Sequence, residues 1–163
     1  MPNPPAVAEA PRMIRRMARR TALVAGATGI VGRHLIDRLA GYPDWRVVAV
    51  ARDPAGLGNG VQAVALDLQD RDACFRALGG VEDVTHVFYA GRAPRPDPAE
   101  EAAVNTAMLG NLLDAVEPSA PALAHVNLVH GTKWYGSHLG PFRTPAREDD
   151  PRPDGVNVYY DQP

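Results

Sequence analysis

Cysteine is nearly absent. Cys74 stands alone, which rules out a disulfide within the chain and fits a reducing, cytoplasmic setting. No apolar stretch approaches the roughly 20 residues that a membrane-spanning helix needs, so no membrane partner is expected. Neither sign of charge dominates. Seventeen Lys and Arg stand against 19 Asp and Glu, a net charge of −2, and no overall basic field invites nucleic acid. The five histidines (His34, His86, His125, His130, His138) lack metal-ligand spacing, so no metal is expected. Gly136-Ser137-His138 is no nucleophile elbow, which needs Gly-x-Ser-x-Gly. Lysine is as scarce as cysteine, for Lys133 is the only one and every other Lys/Arg position is arginine.

The chain has 163 residues, a length suited to one domain with a real core. Its start is unlike the rest. Arg12, Arg15, Arg16, Arg19 and Arg20 face only Glu9, among prolines and almost no hydroxyl residues. Residues 1–19 are therefore expected to be a disordered basic leader rather than a targeting presequence.

What the chain does have is Thr21-Ala22-Leu23-Val24-Ala25-Gly26-Ala27-Thr28-Gly29-Ile30-Val31-Gly32, a β-prone run entering a glycine-marked bend. An amphipathic stretch from Arg33 to Leu39 follows. In a strand–bend–helix unit, Gly26 permits the tight turn, Gly29 lets backbone approach a pyrophosphate, and Gly32 lets helix and strand pack closely. The helix start then turns N–H groups and a positive dipole end towards phosphate. Further strands are expected at Trp45–Ala51, Val61–Leu66, Val84–Tyr89 and His125–Val129. Helices are expected at Asp70–Leu78 and from Asp97-Pro98 to about Glu117, and a loop from Gly131 onward. Strands alternating with helices imply an α/β fold, a Rossmann-like doubly wound parallel sheet in order 3-2-1-4-5 spanning residues 20–163. Its ligand should lie at the carboxyl ends of the strands, where the order reverses.

Counting roughly 20 residues past the last glycine lands on Arg52, with Asp53 next. A basic group there neutralises a 2′-phosphate, whereas Asp53 before Pro54 suits a turn. The expected cofactor is thus NADPH, with NADH the other candidate. Gly26, Thr28, Gly29, Ile30, Val31 and Gly32 should hold it at the bend. Arg52, Asp67 and Leu68 belong to its adenosine end, and Tyr89 and Ala90 to the end of the fourth strand. Asn105 interrupts the apolar stripe of Met108, Leu109, Leu112 and Val116, and bracing of a neighbouring loop is its expected role.

Three motifs in order carry a resemblance: Gly-Ala-Thr-Gly-Ile-Val-Gly (26–32), Gly-Thr-Lys-Trp-Tyr-Gly (131–136) and Asn-Val-Tyr-Tyr-Asp-Gln (157–162). From about Arg20 to Gln162 the chain resembles the atypical short-chain dehydrogenases/reductases that include progesterone 5β-reductase and iridoid synthase. Like them, it has no tyrosine four residues before a lysine. The resemblance implies an NADPH-dependent reductase of an enone or enal C=C, or of a carbonyl, with Lys133 and Tyr159 as catalytic residues. It further implies a small-molecule substrate, with a homodimer as a further expectation. His130 and Trp134 depart from the pattern, which usually has a small hydroxyl residue and a histidine there. An epimerase/dehydratase-like domain, or a dinucleotide-binding protein without catalysis, are the alternative readings. Relatives of this kind are about twice as long. The expectation is therefore a C-terminally incomplete cofactor half, with Tyr159 loosely held and little or no turnover alone.

Overall fold

The computed structural model describes residues 20–58 and 60–162, so the leader expected over residues 1–19 lies outside the described residues. Five parallel strands, β1 (Arg20–Ala25), β2 (Trp45–Ala51), β3 (Val61–Ala65), β4 (His86–Tyr89) and β5 (His125–Leu128), form one sheet. Its order is β3-β2-β1-β4-β5, as expected. The sequence reverses direction between β1 and β4, which opens a crevice at the ends of those strands.

Alternation along the strands sorts the side chains to two faces. Leu23, Ala25, Val48, Val50, Val87 and Tyr89 pack under α2 (Arg71–Leu78) and α3 (Pro98–Val116), with Cys74, Leu78, Leu109, Leu112 and Val116. Ala22, Val24, Val47, Ala49 and Ala51 face α1 (Ile30–Ala40), which contributes Ile36 and Leu39. The central strands β1 and β2 are buried on both faces, the reason their sequence reads as continuous apolar runs. On the α1 face beyond β1, Trp45, His86, Phe88 and His125 form an aromatic group.

The element boundaries differ from expectation at the bend. Helix α1 begins at Ile30 rather than Arg33, because Gly29 takes the extended N-cap conformation (φ −74°, ψ 168°). Strand β4 starts at His86, for Thr85 is drawn into hydrogen bonds with Thr21 instead. After β5 the chain is not irregular throughout, since Thr132–Tyr135 form a 3₁₀ turn closed by Gly136 at φ +78°.

Candidate functional site

The bend after β1 is built to let backbone come close. Gly26 has φ +77°, and a Cβ there would lie 2.5 Å from the Ala90 carbonyl oxygen at the end of β4. A Cβ on Gly32 would collide with the Gly26 carbonyl oxygen, so this glycine seats α1 against the bend. The three helices differ at their starts. Asp70 caps α2 by accepting from the Ala73 N–H, and Asp97 caps α3 by accepting from the Glu100 N–H. Helix α1 has no side-chain cap and no acidic residue in its first turn. Its leading N–H groups and dipole end are thus left for an anion.

A cleft of about 330 Å³ opens in front of this bend, lined by Gly26, Thr28, Gly29, Arg52, Asp67, Leu68 and Ala90 among others. Seven of the residues singled out in the sequence therefore share one wall. Asp53 does not: its carboxylate accepts from the Ala55 N–H, the turn role expected of it. Gly32 stands behind the bend. Ile30 and Val31 are exposed at the α1 start, outside the cleft wall. Tyr89 is not brought in either. Strand alternation turns its ring into the α2/α3 core, where it is 2 % exposed and burial pushes the phenol strongly up.

Side chains of α3 brace the cleft. Asn105 donates to the Ala93 and Glu101 carbonyls and accepts from the Ala93 N–H, the loop-bracing role anticipated for it. Asn111 donates to the Leu68 carbonyl. Arg95 joins Gln69 to Glu100, tying the loop after β3 to the loop after β4. Sequence reading missed the pair Arg92–Glu101. Burial raises the Glu101 carboxyl, yet hydrogen bonds and charge from Arg92, helped by the charge of Lys133, hold it below the ordinary glutamate range. A glutamate in the first turn of a helix reads as a dipole partner, and nothing local signals its arginine.

Lys133 lies on the 3₁₀ turn after β5, and Tyr159 on a turn near residue 160. One buried side chain joins them. Asn157 donates from Nδ2 to the Lys133 carbonyl at 2.6 Å and accepts at Oδ1 from the Tyr159 N–H at 3.1 Å. Asn157 and Val158 are 5 % and 6 % exposed, so this segment is packed down rather than loose, contrary to expectation. The adjacent tyrosines are used differently. The Tyr160 hydroxyl donates to the Trp134 carbonyl at 2.9 Å, while that of Tyr159 lies over Gly131. A second cavity, of about 470 Å³, adjoins them and is lined by His130, Gly131, Thr132, Trp134, Tyr135 and Glu148.

Among the described residues no three His, Cys, Asp or Glu side chains form a metal cluster, and no helix is long and apolar enough to cross a membrane. A parallel sheet in this order, with a glycine bend and an uncapped helix at its switch point, defines a Rossmann-type dinucleotide-binding domain. A family profile described as NAD dependent epimerase/dehydratase family matches residues 22–160, and the chain belongs to that family. It is 39% identical over 157 residues to 3-oxo-Delta(4,5)-steroid 5-beta-reductase of Arabidopsis thaliana, covering 86% of this chain and 39% of that one. It is 36% identical over 162 residues to (S)-8-oxocitronellyl enol synthase of Camptotheca acuminata, covering 89% of this chain and 40% of that one. Among solved structures it resembles a short-chain dehydrogenase/reductase superfamily protein from Agrobacterium tumefaciens with bound NAD (TM-score 0.68, 25% identity, 88% of this chain, 42% of that one). The chain spans about two fifths of the length of the curated relatives it matches.

Proposed function

We propose that this chain is the cofactor-binding and proton-donating part of an NADPH-dependent reductase of conjugated carbonyl compounds. The observation that carries the reading is the clasp by Asn157, which joins the chain's only lysine to a tyrosine whose hydroxyl is left over Gly131. The residues suit a dinucleotide. A cradle that any Cβ would fill and an uncapped helix start accept the diphosphate, and Arg52 sits where a 2′-phosphate would fall.

When bound, NADPH supplies a hydride. The residues of the chain do the rest. Arg52 and the α1 start would hold the phosphates, and Lys133 and Tyr159 would act at the nicotinamide end. The Tyr159 hydroxyl donates to the carbonyl oxygen of an enone, stabilising the enolate as charge develops there. Trp134, Tyr135 and His130 offer aromatic surface to an apolar substrate at the adjoining cavity. The names of the curated relatives, a steroid reductase and an oxocitronellyl enol synthase, support a small substrate with such a group.

The test is thermal shift with each nucleotide, followed by loss of reduced-nicotinamide absorbance with a cyclic enone. A ligand at 100 times its dissociation constant adds about 2.7 kcal/mol. NADPH should raise Tm more than NADH, and R52E should reverse that order by at least about tenfold in affinity. Equal shifts in the parent protein would remove the NADPH assignment; no shift with either would remove the whole reading.

A further inference from the structure

The residue that follows β5, His130, is placed unlike any other histidine of the chain. Its ring is stacked between two aromatic faces. The Tyr159 ring lies 4.6 Å away between centroids, inclined by 23°. On the other contact the Trp134 ring lies at 5.4 Å and 13°. Its Nε2 is 3.1 Å from Gln162 Oε1. An amide oxygen only accepts, so Nε2 is the donor in this contact. Gln162 in turn donates to the Asn105 carbonyl, and Asn105 grips the loop after β4. The imidazole is thus oriented in its plane by a hydrogen bond and pinned face-on by two rings.

We infer that His130 is the positioning residue of Tyr159: its imidazole fixes the phenol so that the hydroxyl lies over Gly131, on the wall of the cavity that follows β5. The backbone clasp by Asn157 holds the Tyr159 N–H but leaves χ1 and χ2 free, and in this part-exposed turn a phenol ring has more than one rotamer open to it. The imidazole face removes that freedom. Stacked aromatic pairs at such separations favour one relative arrangement of the rings beyond area burial alone. The Gln162 bond passes the constraint on to α3, which also braces the cofactor cleft. A planar ring at position 130 is therefore required, while its basicity is not.

This rests on the reading of Tyr159 as the proton donor, and the experiment separates the two. Tyrosine-labelled protein, with the Tyr159 signals assigned through Y159F, is compared by NMR as parent, H130A and H130F, each bound to NADPH. The parent should show Tyr159 ring protons displaced by the currents of the neighbouring imidazole. H130A should return them towards the positions of a mobile tyrosine, and H130F should keep them displaced. In the same samples, kcat for an enone should fall roughly 10- to 100-fold in H130A. The Kd for NADPH should stay within about twofold, because His130 is absent from the phosphate cleft. H130F should recover most of the lost kcat. Unmoved Tyr159 signals in H130A overturn the inference whatever the activity. Displaced signals in a protein that reduces no enone uphold the placement and overturn only the catalytic reading. Should H130A fail to fold, H130L replaces it: an aliphatic side chain of similar bulk keeps the site filled but offers no ring, and the Tyr159 signals should lose their displacement. Unmoved signals there overturn the inference equally.

Discussion

At the scale of single residues, Asn157 carries more than its size suggests. Its amide is nearly fully buried and serves both halves of the proposed acid site at once. Asn157→Ala would leave the Lys133 carbonyl and the Tyr159 N–H without that partner in a mostly dry place. A loss of about 1–3 kcal/mol in unfolding free energy is expected, read by urea titration. Asn157→Asp should do little better, because a carboxylate cannot donate to a carbonyl. The motif around Asn157 was legible in the sequence as a pattern, but its bonds were not. The bond from the Tyr159 N–H is local, two residues along, but the bond to Lys133 spans 24 residues, and no local spacing encodes which carbonyl a buried amide will find. Arg52 was legible for the opposite reason. Its place follows from counting along one strand–helix–strand unit whose geometry the glycines dictate.

The elements themselves divide along the same line. Strand order, the glycine bend and the helix starts at Asp70 and Asp97 appear where the residues point, with Asp70 standing as the cap before α2 rather than as its first residue. The stacked and hydrogen-bonded contacts between the loop after β5 and residues 157–162 do not, since they depend on how two irregular segments meet. Tyr89 shows how a strand can mislead. It ends β4 beside the cleft, yet its ring packs into the α2/α3 core and is 2 % exposed. The contrast between capped and uncapped helices invites a direct test. Asp97→Ala should cost about 1 kcal/mol, as at other N-caps, measured by thermal or urea unfolding. Thr28→Asp should act differently. A carboxylate placed at the α1 start would favour that helix electrostatically while competing with phosphate, so stability should rise slightly as nucleotide affinity falls at least about tenfold.

For the whole molecule, the charge pairs set an acid limit to stability. Asp83 is held below the usual aspartate range chiefly by its hydrogen bonds from Arg46, although burial opposes this. Glu101 is held low against a larger burial effect by Arg92 and Lys133. A carboxyl whose folded value is depressed stabilises the fold above its unfolded value, and that contribution is lost as pH falls through the folded value. His86 is also lowered, by burial and by the charges of His125 and Arg20. For a histidine kept neutral by the fold, the contribution is complete above the ordinary value and declines as pH drops below it. Erosion should therefore begin near pH 6.5 with His86 and deepen below about pH 4.5 with the carboxylates. Urea midpoints between pH 8 and pH 3 would show both steps, with H86Q removing the first and E101Q weakening the second.

The lone thiol has a use that its burial creates. Cys74 is fully enclosed beneath the α2/α3 layer, burial pushes its ionisation up, and its Sγ rests 3.9 Å from the Leu68 carbonyl. Leu68 also lines the cleft in front of the glycine bend. An alkylating reagent in water meets this sulfur only when the helical layer lifts, so its rate of modification reports how often that layer opens. A nucleotide that binds against Leu68 should slow this modification, which alkylation rates with and without it would show. The chain thus contains its own reporter of occupancy, a single atom whose chemical silence measures how firmly the neighbouring crevice is filled.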